Sequence, residues 1–408
     1  MISIKIPKIH LLKETNLSED FYHSSIISLL RGFAAVEVAA LHLRASFFPG
    51  YKSVSDPHIF FQGLAFFTGF GHQAVVLFFL LSGWLVGGSL LNKIAKPNAI
   101  KIYAIDRVTR LWIVLIPTFL AIILFAILTK SVNPYEIDYS LANEYSAFSF
   151  LGNLVGLQTG LKTTTILIFG GNYPLWSLAN ETWYYITFPL ILSLFTAKHI
   201  ATKIVSVISL SLIAYFLTYS VILYFSLWLL GVAFSRIKID ATNSFRIILF
   251  IIFCILEIFY RMQGSINDLV PEYFVQHFIY SIIFLILLSS MQYKISPYFY
   301  LINPVKIIGK FFSEFSFTLY VLHVPIIGIF VYFSKQFFAT SRLSQDNPLD
   351  FVIYFAMLFA IIVLSYLFYI PFESNTHRVR RYIKNLFLME GVAAIERKEI
   401  STSTISIR

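Results

Sequence analysis

Ten apolar runs, each near the length that crosses the hydrocarbon core of a bilayer, constrain this chain more than any other feature. They cover approximately 25–47, 69–92, 111–129, 174–196, 204–220, 221–235, 245–262, 273–291, 313–334 and 351–372. The fifth and sixth are short and abut without a clear turn. In hydrocarbon a spanning segment must satisfy its own backbone N–H and C=O groups, which a helix does. The runs therefore predict an all-α polytopic membrane protein of about ten transmembrane helices. Composition agrees: 58% of the 408 residues are hydrophobic and 13% charged, about half the charge of a soluble domain. Aromatic residues make up 18% of the chain, which suits lipid-facing surfaces and interfacial belts. Cys254 is the single cysteine, so no intrachain disulfide forms.

Charge sets the expected orientation. The first two dozen residues are mixed polar and basic, with no apolar core or small-residue cleavage site, so no cleaved signal peptide is expected. With the N-terminus inside, 93–110, 197–203, 236–244, 292–312 and the tail from Glu373 fall on the cytoplasmic side. Those segments and their adjoining helix ends hold 23 of the 31 Lys and Arg residues, against 7 on the outside. That asymmetry predicts both termini in the cytoplasm. It also accounts for the net charge of +10 without nucleic acid. The expected organisation is a cytoplasmic N-terminal segment over 1–24, a transmembrane domain over 25–373 and a cytoplasmic tail over 374–408. The longest outer stretch, about 130–173, is too short for a separate domain, though long enough to cover an outward-facing cavity.

Several ionisable residues lie inside or at the edges of the apolar runs, where charge is costly and functional roles concentrate. Arg31 and His42 are eleven residues apart in LLRGFAAVEVAALHL. On a helix that is about three turns, so both face one way, about 16 Å apart along the axis. Ala35 and Val38 lie between them and are small enough to leave room beside the helix. A surface-capping arginine and a histidine bonded to a neighbouring helix would be the structural alternative. Gly83, Gly87 and Gly88 in FFLLSGWLVGGSLL have the spacing of a close helix contact, and Ser82 reads as a structural hydroxyl bonded to its own helix. Arg107 and Arg110 share one helix face at the mouth of the third span. They fit topology marking, lipid headgroups or the phosphates of a cytosolic ligand. Glu181, in PLWSLANETWYYITFPLIL, must be paired or neutralised; it either ties helices together or partners a catalytic imidazole or an acceptor hydroxyl. Tyr320 and His323 share a face of the ninth run. Glu37 lies on a different face from Arg31 and His42, with no role the sequence assigns.

Taken in order, LRGFAAVEVAALH, FFLLSGWLV, DRVTRLW, PLWSLANETWYYITFPLI and FTLYVLHVPI resemble the acyltransferase-3 family of polytopic membrane proteins. The tenth run and YIPFES extend the likeness to about Glu373. The resemblance implies transfer of an acyl group, usually acetyl from cytosolic acetyl-CoA as donor substrate, to a hydroxyl of a glycan or glycolipid acceptor. By it, Arg31 and His42 match the family's Arg–His pair, with His42 as base or acyl carrier and Glu181 as a further catalytic group. Arg31, Arg107 and Arg110 would meet the donor's phosphates, with Ser82, Trp176, Tyr320 and His323 in support and no metal. The implied setting is the cell inner (cytoplasmic) membrane, with lipid and the acceptor as partners and a homodimer left open. Two stretches depart from the family pattern. Val76 stands where members often carry Asp, and Glu373 is followed by Ser374 and Asn375 rather than by Pro. The outer esterase-like domain of some members is not expected here, so a second step would fall to a separate partner.

A proton-coupled transporter or flippase of a glycan-type substrate is the alternative, since an intramembrane His and Glu also suit a proton relay. Against it stand the lack of an inverted repeat or of paired Gly/Pro-broken helices, and arginines clustered at one mouth. A sensor or scaffold would need an extramembrane domain.

Overall fold

A computed structural model describes residues 7–132, 143–163, 166–262, 269–295, 302–338 and 342–387. Parts of the expected outer segment and of both end segments (1–6, 133–142, 164–165 and 388–408) lie outside them. Every one of the ten apolar runs falls on a helix. The first is α1, Tyr22–Phe47. A short α2, Ile59–Phe67, precedes the second run, which forms α3, Gly71–Ser82, a π-helical turn over Gly83–Gly87, and α4, Gly88–Lys93. The third is α5, Ala99–Leu128. It begins twelve residues before the apolar run, so Arg107 and Arg110 lie within a helix and not in a connecting segment. A short α6, Ala147–Leu154, starts on Ser146, whose hydroxyl accepts from the Ser149 N–H as an N-cap.

The remaining runs form α7 Leu175–Thr196, α8 Ile200–Phe216, α9 Tyr219–Phe234, α10 Asn243–Met262, α11 Phe274–Ser290, α13 Ser316–Phe338 and α14 Pro348–Tyr369. The break between α8 and α9 falls at Leu217–Thr218, three residues earlier than the sequence suggests. Between α11 and α13 lies α12, Ile302–Glu314, an amphipathic helix the apolar runs did not reveal. The start of α14 is written in Asn347-Pro348-Leu349-Asp350: Asn347 caps the Leu349 N–H, Pro348 needs no partner, and Asp350 meets the positive helix end. Beyond Tyr369 a 3-10 turn, Glu373–Asn375, leads into a tail helix over 376–387. Among the described residues six helical segments are long and apolar enough to cross a membrane, which makes this an all-α multi-pass membrane protein.

The connecting segments sort to two ends. At one, β1 (Lys8–Leu11) pairs antiparallel with β2 (Ile237–Asp240), Asn92 binds the Thr15 backbone, and the Tyr22 N–H bonds to the Tyr293 carbonyl. At the other, Lys162 bonds to Phe216, Leu343 to Phe47, and Arg261 to Ala65. Described parts of several segments expected in the cytoplasm thus meet one another, as do described parts of segments expected outside.

Among the described residues four apolar clusters hold the bundle, three of them large. One joins α3, α7, α9 and α11 around Trp84, Tyr184, Trp228 and Leu285. A second joins α1, α13 and α14 around Leu43, Phe315, Leu319 and Tyr354. The third joins α5, α7 and α13 around Val114, Phe119, Leu175 and Val321. The π turn lets two backbones touch. A methyl group on Gly83 would stand 2.0 Å from the Trp228 carbonyl oxygen, and one on Gly231 2.1 Å from that of Leu80. Both are far inside contact distance, and the obstacle is backbone. Gly83→Ala and Gly231→Ala are each expected to cost about 1–3 kcal/mol or more through overpacking. Thermal unfolding in detergent would read this as a lowered midpoint, whereas Gly328→Ala, whose new methyl meets nothing within 4 Å, leaves it unchanged.

Candidate functional site

A cavity of about 770 Å³ opens at the end that carries β1 and β2, walled by α1, α3, α5, α7, α13 and the tail. It gathers Arg31, Ser82, Arg107, Arg110, Glu181 and Tyr320, six of the nine residues singled out in the sequence. Arg31 reaches the Ser316 hydroxyl at 3.5 Å, at the start of α13. Arg107 lies over the rings of Tyr103 and Tyr185, 5.9 and 5.7 Å from their centroids. Arg110 pairs with Glu373 at 2.7 Å, and that carboxylate is almost fully buried. The other Glu373 oxygen accepts from the Thr318 N–H at 3.0 Å and from the Thr318 hydroxyl. Glu373 therefore caps α13 and anchors α5 at once, a task its position in the sequence did not disclose.

A directed hydrogen-bond chain crosses the opposite wall. Indole N–H only donates, so Trp228 gives its proton to Ser82 Oγ at 3.1 Å. Tyr185 donates to Glu181 at 2.6 Å, which leaves its oxygen to accept from Ser82 at 3.1 Å. Ser82 is thus bonded to α7 and α9 rather than to its own helix. Glu181 is held by Tyr185 four residues on; it does not partner the imidazole of His42.

His42 has another partner. Its Nδ1 lies 2.7 Å from His323 Nε2, with the two rings nearly parallel. His323, fully buried, has its Nδ1 3.2 Å from the Leu319 carbonyl oxygen. A carbonyl only accepts, so His323 carries its proton on Nδ1 and presents a bare Nε2. His42 must then donate from Nδ1, leaving its own Nε2 lone pair unprotonated. Tyr173 packs edge-on against His42, with centroids 4.9 Å apart.

The histidine pair is outside the cavity lining. Between them stands Tyr320, whose ring centroid is 5.8 Å from that of His323. Its hydroxyl donates to the Pro174 carbonyl at 3.1 Å and meets the Ser177 hydroxyl at 2.5 Å. The space expected beside Ala35 and Val38 is filled: both are buried, Ala35 against the Leu319 cluster and Val38 with Ala74, Phe78 and Tyr320. Trp176 faces away, into a separate pocket of about 220 Å³ shared with Thr159, Asn180, Ser220 and Tyr224. Glu37 accepts from the Phe70 N–H at 2.9 Å, just before α3, and so acts as a tie between helices. Among the described residues no three His, Cys, Asp or Glu side chains meet as a metal cluster.

One family model, described as an acyltransferase domain and numbered 3 in its series, matches residues 25–370, from α1 to just past the end of α14. No curated protein and no solved structure matches the chain.

Proposed function

The chain belongs to the acyltransferase-3 family of membrane acyltransferases, and on that premise we propose that it moves acetyl from cytosolic acetyl-CoA to a hydroxyl of a glycan or glycolipid acceptor. The observation that carries this reading is the His42–His323 bond, which leaves His42 Nε2 bare one tyrosine away from an arginine-lined cavity. Arg31, Arg107 and Arg110 hold the donor's phosphates as guanidinium forks. The pantetheine arm runs along the cavity toward Ser177 and Tyr320, and the acceptor hydroxyl arrives from the opposite end beside Tyr173.

His42 Nε2 takes the hydroxyl proton as the oxygen attacks the thioester carbonyl carbon. The C–S bond breaks, and the departing thiolate takes that proton back from the imidazolium. The products are an ester and coenzyme A thiol. During the step, the positive charge is shared with His323 through the 2.7 Å bond. The cavity mouth lies at the end that gathers the Lys/Arg-rich segments, which supports an inner-membrane protein with both termini and the donor site in the cytoplasm.

Arg107→Ala is expected to raise KM for acetyl-CoA about tenfold with kcat nearly unchanged, since it removes phosphate binding common to ground and transition states. Initial rates against donor concentration in membranes check this. An unchanged KM would remove the arginine pair from the donor site. The wall between cavity and histidines predicts that Tyr320→Phe, which removes the Tyr320 bonds to Ser177 and to the Pro174 carbonyl, lowers kcat while KM for the donor stays put.

A further inference from the structure

The tail was legible in sequence only as a short, mixed-charge stretch, yet the helix over 376–387 is fastened to the mouth of the cavity. Arg380 Nε lies 3.2 Å and Lys384 Nζ 2.7 Å from Asp106 Oδ1, on the residue before Arg107. Lys101 Nζ donates to the Phe387 carbonyl at 2.8 Å. Two cations share one carboxylate, so the rim keeps an excess positive charge. His377 and Arg380, three apart and hence on one face of the tail helix, line the same cavity as Arg31, Arg107 and Arg110. Lys384 is not among the lining residues. Along α5, Asp106 lies one residue before Arg107 and four before Arg110, so Arg380, held by Asp106, stands just outside the inner pair.

We propose that His377 and Arg380 form a second phosphate subsite, which binds a phosphate monoester on the nucleotide end of the donor while Arg107 and Arg110 hold its diphosphate. The inference rests on acetyl-CoA being the donor. Coenzyme A carries its phosphates in two such groups, a 3′-monoester and a 5′-diphosphate on one ribose, which matches an outer and an inner cluster. A lipid headgroup at the membrane surface offers the same phosphate chemistry, and the experiment separates the two sources.

Full-length protein in lipid nanodiscs would be titrated with coenzyme A and with 3′-dephospho-coenzyme A, in zwitterionic and in anionic discs. Wild type is expected to bind coenzyme A the more tightly. Arg380→Ala should weaken coenzyme A binding about tenfold and leave dephospho-coenzyme A within twofold, in both disc types. His377→Ala should do the same to a smaller degree. Lys384→Ala, which loosens the same clamp without touching the cavity, should change neither. Equal losses on both ligands, or the same loss from Lys384→Ala, would reduce the tail to a clamp and overturn the subsite. Unchanged coenzyme A binding with loss only of a response to anionic lipid would assign the site to headgroups and overturn it too. If wild type binds coenzyme A and Arg107→Ala weakens it while Arg380→Ala does not, the tail subsite falls and the donor reading stands. If wild type binds neither ligand, both fall.

Discussion

Glu373→Ala is expected to cost about 2–3 kcal/mol, because it strips the partly buried Arg110 of its counter-charge and leaves the buried Thr318 donors without an acceptor. Arg110 would lose its 2.7 Å partner, and the Thr318 N–H and hydroxyl would lose their acceptor at the start of α13. Three elements meet at that carboxylate, so the damage spreads from α5 to α13 and the tail. A thermal unfolding midpoint in detergent, set beside wild type, should fall by several degrees or more. Donor affinity should fall with it, since Arg110 would no longer be aimed into the cavity. Glu373→Gln keeps one acceptor oxygen for Thr318 but turns an amide NH2 toward Arg110, so it should lie between the two. An unchanged midpoint in Glu373→Ala would mean that the carboxylate does not hold these helices together.

The histidine pair carries the other large effect. His42→Ala removes the bare Nε2 and is expected to lower kcat by about 10³-fold, within the range of general acid–base catalysis. Binding of acetyl-CoA should not change, because His42 lies beyond the cavity lining. His323→Ala leaves the ring of His42 in place but frees its tautomer and orientation, so a smaller fall of about tenfold to a hundredfold is expected. His323→Gln offers an amide oxygen as acceptor for the His42 proton and should recover part of that loss. Single-turnover rates with saturating donor would separate these cases. Equal activity in His323→Ala and wild type would remove the tautomer argument while leaving His42 in question.

Much of the bundle could be read from the chain because apolar runs in a bilayer have few outcomes. Where the reading stopped short, the cause was local polarity or distance along the chain. The first turns of α5 carry Lys101, Asp106, Arg107 and Arg110, which hide a helix from a hydropathy count although its backbone continues unbroken. Helical spacing put Arg31 and His42 on one stripe, but could not say that Leu319 and Tyr320 would fill the gap between them. It also grouped Trp176 with Glu181 in one motif, while their difference in helical angle sends them into separate pockets. The partner of His42 lies 281 residues away, and no spacing rule reaches so far. For the same reason the sequence offers Glu181, and not His323, as a partner for that imidazole. Glu373 and the tail helix act through ion pairs with α5, a tertiary fact invisible to composition.

The central claim is that acetyl leaves a thioester and arrives on a hydroxyl. It is tested most directly by incubating membranes that contain the wild-type protein with acetyl-CoA labelled in the acetyl group. The account predicts label in a glycan or glycolipid fraction as a base-labile ester, absent from membranes with His42→Ala at matched expression. Label transferred equally by both, or by neither when the wild-type protein is shown to bind acetyl-CoA, would contradict it.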